Sequence, residues 1–124
     1  MELKTITGNL IHVANVSTWE QLLKSALKAG ITDFRQANFI GANFSQANFS
    51  WTNFSHVDFR QADFSDADFR QADFRQANFV RADFRNANFR NADFRDADFR
   101  QAKLLSNFAI SVLSQKYNVL QKLK

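Results

Sequence analysis

Ten aspartates and nine arginines fall between residues 33 and 102. Acid–base catalysis, metal binding and phosphate recognition all draw on groups of this kind. The placing of the aspartates argues against the first two. Eight of the ten occupy one recurring slot, immediately before a phenylalanine, and Asn alternates freely with them there. A catalytic acid or base needs a carboxylate in an environment unlike its neighbours', and a slot that accepts Asn equally well does not supply one. His12 and His56 are isolated, and no zinc or calcium ligand spacing surrounds them. The chain has no cysteine, which removes thiolate ligands, cysteine nucleophiles and disulfides together. It also has no phosphate loop, no nucleophile elbow and no glycine cluster. The sequence therefore predicts no catalytic residue, no cofactor-binding residue and no metal ligand, and a protein that is not an enzyme.

Arginine is the remaining candidate, as a binder of phosphate. Eight of the nine directly follow a phenylalanine, at 35, 60, 70, 75, 85, 90, 95 and 100, and Arg81 lies one place further on. Each of the eight has Asp or Asn two residues earlier. That spacing predicts a lattice of exposed ion pairs, each worth about 0–1 kcal/mol. Regional charge supports the same view. Residues 33–102 sum to −1, residues 1–32 to +1, and residues 103–124 carry four lysines and no acid, giving the net +4. The basic balance belongs to the C-terminal tail. A balanced middle offers neither the unopposed basic surface that nucleic acid requires nor a polyanion, so no nucleic-acid partner is expected.

The elements that carry these side chains follow from one period. Phe34, Phe39, Phe44, Phe49, Phe54, Phe59, Phe64, Phe69, Phe74, Phe79, Phe84, Phe89, Phe94 and Phe99 recur every five residues, and Leu104 takes the next slot. Two residues before each stands a small residue, usually Ala, with Thr32, Thr52 and Val57 as exceptions. A period of five fits neither a helix at 3.6 nor an unbroken strand at 2. A helix would turn the rings through every direction, and a strand would send them to alternate faces. A chain that bends once per five residues resolves this. The small residue and the Phe then point the same way, as in a strand, and the polar residues between them form a corner through local side-chain hydrogen bonds. These fourteen rings and Leu104 are the expected core.

The unit, Ala, Asp or Asn, Phe, then two mostly polar residues, resembles the repeat of the pentapeptide repeat family over about residues 32–106. The resemblance implies an all-β solenoid, a right-handed quadrilateral β-helix with four repeats per coil and about four coils. It implies that the Phe and the small residue two earlier point inside and that the other three positions point out. Some members of that family imitate duplex DNA and act on DNA gyrase, but that use wants an acidic rod. Small members with short helical flanks are common in cyanobacteria and are mostly structural or interaction proteins without a known biochemical role. Fourteen Phe in succession depart from the family's usual mixture of Leu and Phe. Recent duplication and an engineered all-Phe scaffold both account for such uniformity.

Two flanks complete the layout. Residues 1–31 form an N-terminal segment, with short extended pieces around Gly8 and Asn9 and a helix over about 17–30. Ser17 and Glu20 have capping-box spacing, and Gly30 stands where a left-handed cap falls, with Ile31 beside it. Residues 105–124 predict a second helix, with Leu105, Phe108, Val112 and Leu120 on one side. A solenoid exposes raw core at both ends, so both helices are expected to act as caps. On the exterior, Trp51 is a candidate contact residue, and Ile40 and Val80 make a short apolar strip around Arg60. No run is long enough to cross a membrane. No signal peptide is recognised, so the expected compartment is the cytoplasm. Any partner is expected to be a protein, and the chain to be a monomer or an end-to-end dimer.

Overall fold

A computed structural model of the chain describes residues 1–5, 7–31 and 33–104. Its organising feature is a twenty-residue circuit. Parallel bridges join Asn38 to Asp58, Asn43 to Asp63, Asn48 to Asp68, and so on to Asp83 with Lys103. Each bridge spans four pentapeptides, so one turn of the chain around the core takes four units.

The backbone of a single unit shows why these residue types recur. The N–H of Ala62 donates to the carbonyl of Phe59 (3.1 Å) and closes a tight corner. The N–H of Asp63 donates to Ala42 in the preceding coil (2.9 Å). Phe64 and Asp66 donate to Asp83 and Arg85 in the following coil (2.8 and 3.0 Å). One donor is left, that of Ser65, and the Asp63 carboxylate takes it at 2.9 Å. All five donors of the pentapeptide are thus satisfied, as buried backbone requires. Asp and Asn interchange in this slot because either offers the oxygen that the fifth donor needs.

The interior is a stack of rings. Phe34 through Phe99 are all between 0 and 5% exposed. They form four columns in which each ring lies over the ring twenty residues on, with centroids 5.0–6.2 Å apart. Along the chain from Phe39, successive rings meet edge-on or tilted, 4.8–5.5 Å apart. From Phe39 on, each ring therefore has near-parallel neighbours along its column and edge or tilted contacts around the coil, the arrangements its quadrupole favours. The alanines two residues earlier face the same core and make room for the rings.

Three expectations need correction. Leu104 packs against the core but is half-buried, not enclosed like the rings. The position before Phe does not simply point out: it is half-buried in most of the later units, and Asp58 is only 5% exposed. The helix begins one residue later than its capping-box spacing suggests. Thr18, not Ser17, is the cap, accepting the Gln21 N–H at 3.1 Å.

The N-terminal segment otherwise follows the sequence. Strand β1 (Glu2–Lys4) pairs antiparallel with β2 (Leu10–Val13), and helix α1 spans Trp19–Lys28. Gly30, at φ +85°, ends α1, with Gly30 donating to Leu27 and Ile31 donating to Ala26, both at 3.0 Å. Leu3, Leu22, Leu23 and Ala26 are fully buried in the same core as the rings. Trp19 meets Phe39 edge-on at 5.7 Å and lies 6.5 Å from Phe44. The backbone of Asn38 donates to Lys4 at 2.8 Å, and Thr5 bridges Ala37. The predicted helix over 105–124 lies outside the described residues.

The corner conceals a conformational cost. The residue two places after each Phe has φ near +60° in thirteen non-glycine cases, and Gly41 fills the same slot once. Positive φ only at the third residue of a Phe-to-Ala corner is the signature of a type II turn. An L side chain in this region costs about 1–2 kcal/mol, most for β-branched residues. Gln76 already bears that cost, so Gln76→Val is expected to destabilise by the further strain of β-branching, about 1 kcal/mol. Gln76→Gly removes the steric cost, adds chain entropy to the unfolded state, and should leave stability nearly unchanged. Urea unfolding midpoints of the two variants check this.

Candidate functional site

The exterior repeats one electrostatic element. Seven arginines bind the aspartate two residues earlier: Arg35, Arg60, Arg70, Arg75, Arg85, Arg95 and Arg100, with Nη2 to Oδ2 distances of 2.6–2.8 Å. In each pair the same carboxylate also accepts the arginine's own backbone N–H. Backbone and guanidinium thus grip one carboxylate from both sides. Arg35 holds Asp33 well down, to about 2, through its side-chain and then its backbone hydrogen bond. Hydrogen bonds from Arg70 and Arg85 likewise hold Asp68 and Asp83 below the usual carboxylate range, against the opposing effect of burial.

These shifts set an acid limit. An unfolded Asp titrates near 3.9. A carboxylate whose folded pKa is lower contributes stability that is complete above that value and is lost as pH falls through the folded one. The thermal midpoint should therefore be flat above about pH 5 and decline below about pH 4. A midpoint unchanged down to about pH 2 would contradict the pairing.

Two arginines stand outside the pattern. Arg81 donates to Oε1 of Gln101, twenty residues on, at 2.7 Å. Arg90 follows Asn88, whose side chain accepts the Arg90 N–H at 3.1 Å but brings no charge. Among the described residues no three His, Cys, Asp or Glu come together as a metal site, and no helix is long and apolar enough to cross a membrane. His12 bonds the Ser25 hydroxyl at 2.9 Å and ties β2 to α1. His56 is exposed at a corner and, with Asp33, Phe34, Arg35, Asn53 and Ser55, lines a shallow depression of about 410 Å³.

The two apolar surface features are both present. Ile40 (37% exposed) and half-buried Val80 line a groove of about 270 Å³ with Arg60, Gln61 and Arg81. Trp51 is 77% exposed, at φ +66°. It lines a groove of about 370 Å³ with Ser50, Arg70, Gln71, Arg90 and Asn91. That Arg90 lacks the carboxylate of its own unit was written in Asn88, but the consequence is invisible until the corner geometry shows what Asp does in that slot.

A four-sided solenoid with a ring-stacked core and a self-paired polar coat defines the class: a repeat scaffold. The family described as pentapeptide repeats (8 copies) matches twice, over residues 32–71 and 67–104, together more than half of the chain. The chain belongs to the pentapeptide repeat family. Its coils accordingly share the right-handed quadrilateral β-helix of that family. Among solved structures it is similar to a pentapeptide repeat protein of the Arabidopsis thaliana thylakoid lumen, at 30% identity and TM-score 0.54, covering 59% of this chain and 49% of that one. It is also similar to the pentapeptide repeat protein Rfr23 of the cyanobacterium Cyanothece 51142, at 14% identity and TM-score 0.50, covering 51% and 44%. A third, a pentapeptide repeat protein of Nostoc, has 29% identity and TM-score 0.41, covering 74% and 79%. The chain thus spans about half the length of the first two. No curated protein matches it.

Proposed function

We propose that the protein is a non-enzymatic interaction scaffold. It is a rod of just under four coils, closed at one end by β1, β2 and α1, and it presents a polar exterior to a protein partner. The observation that carries this is the occupation of its charged groups: seven of the eight arginines that follow Phe are already bound to an aspartate of their own unit. Such a coat keeps the rod soluble and leaves few groups free for chemistry. It also argues against imitation of a polyanion, and so against the gyrase-directed use of the fold, because each of these carboxylates is neutralised in place.

Titrations with mixed-sequence duplex DNA and RNA, across salt, test the reading together with a gyrase supercoiling assay. Weak binding without a steep salt slope, and unimpaired supercoiling, are the expected results. Salt-sensitive tight binding, or inhibition of gyrase, would overturn it.

A further inference from the structure

Two departures from the repeat meet on one face. Across the corner slots from 36 to 101, Trp51 is the single large apolar residue; the others are Gln, Gly, His, Asp, Arg and Asn. Among the arginines that follow Phe, Arg90 alone is preceded by Asn rather than Asp. Its guanidinium has no carboxylate partner among the described residues. The twenty-residue circuit brings these two positions together. Ser50, Arg70 and Arg90 follow the Phe49, Phe69 and Phe89 column, Trp51, Gln71 and Asn91 stand beside them, and all six line one groove. Trp51 holds a backbone region unfavourable to L side chains, and its indole makes no ring contact among the described residues.

We propose that this groove docks an acidic segment of a partner protein. A carboxylate of the partner takes on Arg90 the place that Asp takes on the other seven arginines, and an apolar side chain of the same segment lies across the Trp51 indole. The inference rests on the scaffold reading above and names its partner's chemistry. Trp51 and Arg90 are two coils apart, about 9–10 Å. An extended chain covers that distance in about three residues, so the apolar residue and the carboxylate stand at positions i and i+3. Arg70 lies between them, neutralised by Asp68 at 2.7 Å. One unpaired cation beside one aromatic suits a single carboxylate, whereas a run of phosphates would call for several unpaired cations. Trp and Arg are also the side chains that dominate protein interfaces.

The probe is acetyl-Leu-Gly-Gly-Glu-amide, with its Gln counterpart as control, titrated into the full chain by NMR. The Glu peptide is expected to shift the Trp51 indole N–H and the Arg90 signals, and the Gln peptide to bind about tenfold more weakly. Asn88→Asp supplies Arg90 with an internal carboxylate, and Trp51→Gln restores the common corner residue. Each should weaken the Glu peptide about tenfold and leave the thermal midpoint unchanged or raised. Equal binding of the two peptides, indifference to Asn88→Asp, no shift at Trp51 at millimolar peptide, or displacement by oligothymidylate would overturn the proposal. A lysate partner that survives both variants would sink this groove and leave the scaffold reading intact. Absence of any partner would sink the scaffold reading, while the peptide titration still reports on the groove.

Discussion

Truncating Phe64 to alanine is expected to lower the free energy of unfolding by about 3–5 kcal/mol. The ring is 1% exposed and sits between Phe44 and Phe84 at 5.5 and 5.2 Å. It also meets Phe59 and Phe69 at 5.0 Å and Phe79 at 5.9 Å. Alanine leaves a cavity lined by five aromatic rings that the stacked backbone prevents from collapsing. Phe34→Ala is the matched control. Phe34 begins its column and has a single ring neighbour in it, Phe54, tilted by 37° at 6.2 Å, so its cost should be smaller. Equilibrium urea unfolding of both variants decides the point. Equal losses, or a loss under about 1 kcal/mol for Phe64→Ala, would show that the rings are not a mutually supporting stack.

Deleting residues 1–31 is expected to make the rod self-associate. The deletion removes Leu3, Leu22, Leu23 and Ala26 from the core and uncovers Phe39 and Phe44, on which Trp19 lies. It also frees the Asn38 N–H from Lys4 and the Ala37 backbone from Thr5. An open solenoid end with apolar rings and unpaired backbone is a template for another end. Light scattering at matched concentration should show larger species for the shortened chain. A monodisperse product with an unchanged thermal midpoint would mean that the segment does not close the rod.

The sequence exposes the core and hides the corner, for a physical reason. Burial is written in residue type, so fourteen Phe at a spacing of five announce one inward direction per unit, and all fourteen are buried. Positive φ is written in residue type only where glycine is required. Here Gln, Asn, Asp, His, Arg and Trp hold it, and Gly41 was the single visible hint. The half-buried aspartates were likewise hidden. Asp beside Asn in one slot looks like a solvated surface position, and only the path of the fifth N–H shows that the slot is chosen for its oxygen. At the surface, the Asp-to-Arg spacing announced the ion pairs, and all seven such pairs form. Trp51 was legible as an exception, but its meeting with Arg90 depends on the circuit.

That circuit is the central claim, and two serines of this cysteine-free chain test it directly. Ser45 and Ser65 lie twenty residues apart on one face, where Gln46 N–H donates to the Ser65 carbonyl at 2.9 Å. Neighbouring coils place such residues about 4.8 Å apart, inside the range of about 4.4–6.8 Å between Cα atoms that a disulfide spans. Ser45→Cys with Ser65→Cys should oxidise rapidly to an intramolecular disulfide under native conditions. Ser50→Cys with Ser65→Cys, fifteen residues apart on adjoining faces, should stay reduced under the same oxidant. Rapid closure of the fifteen-residue pair, or failure of the twenty-residue pair to close, would contradict a coil of four pentapeptides.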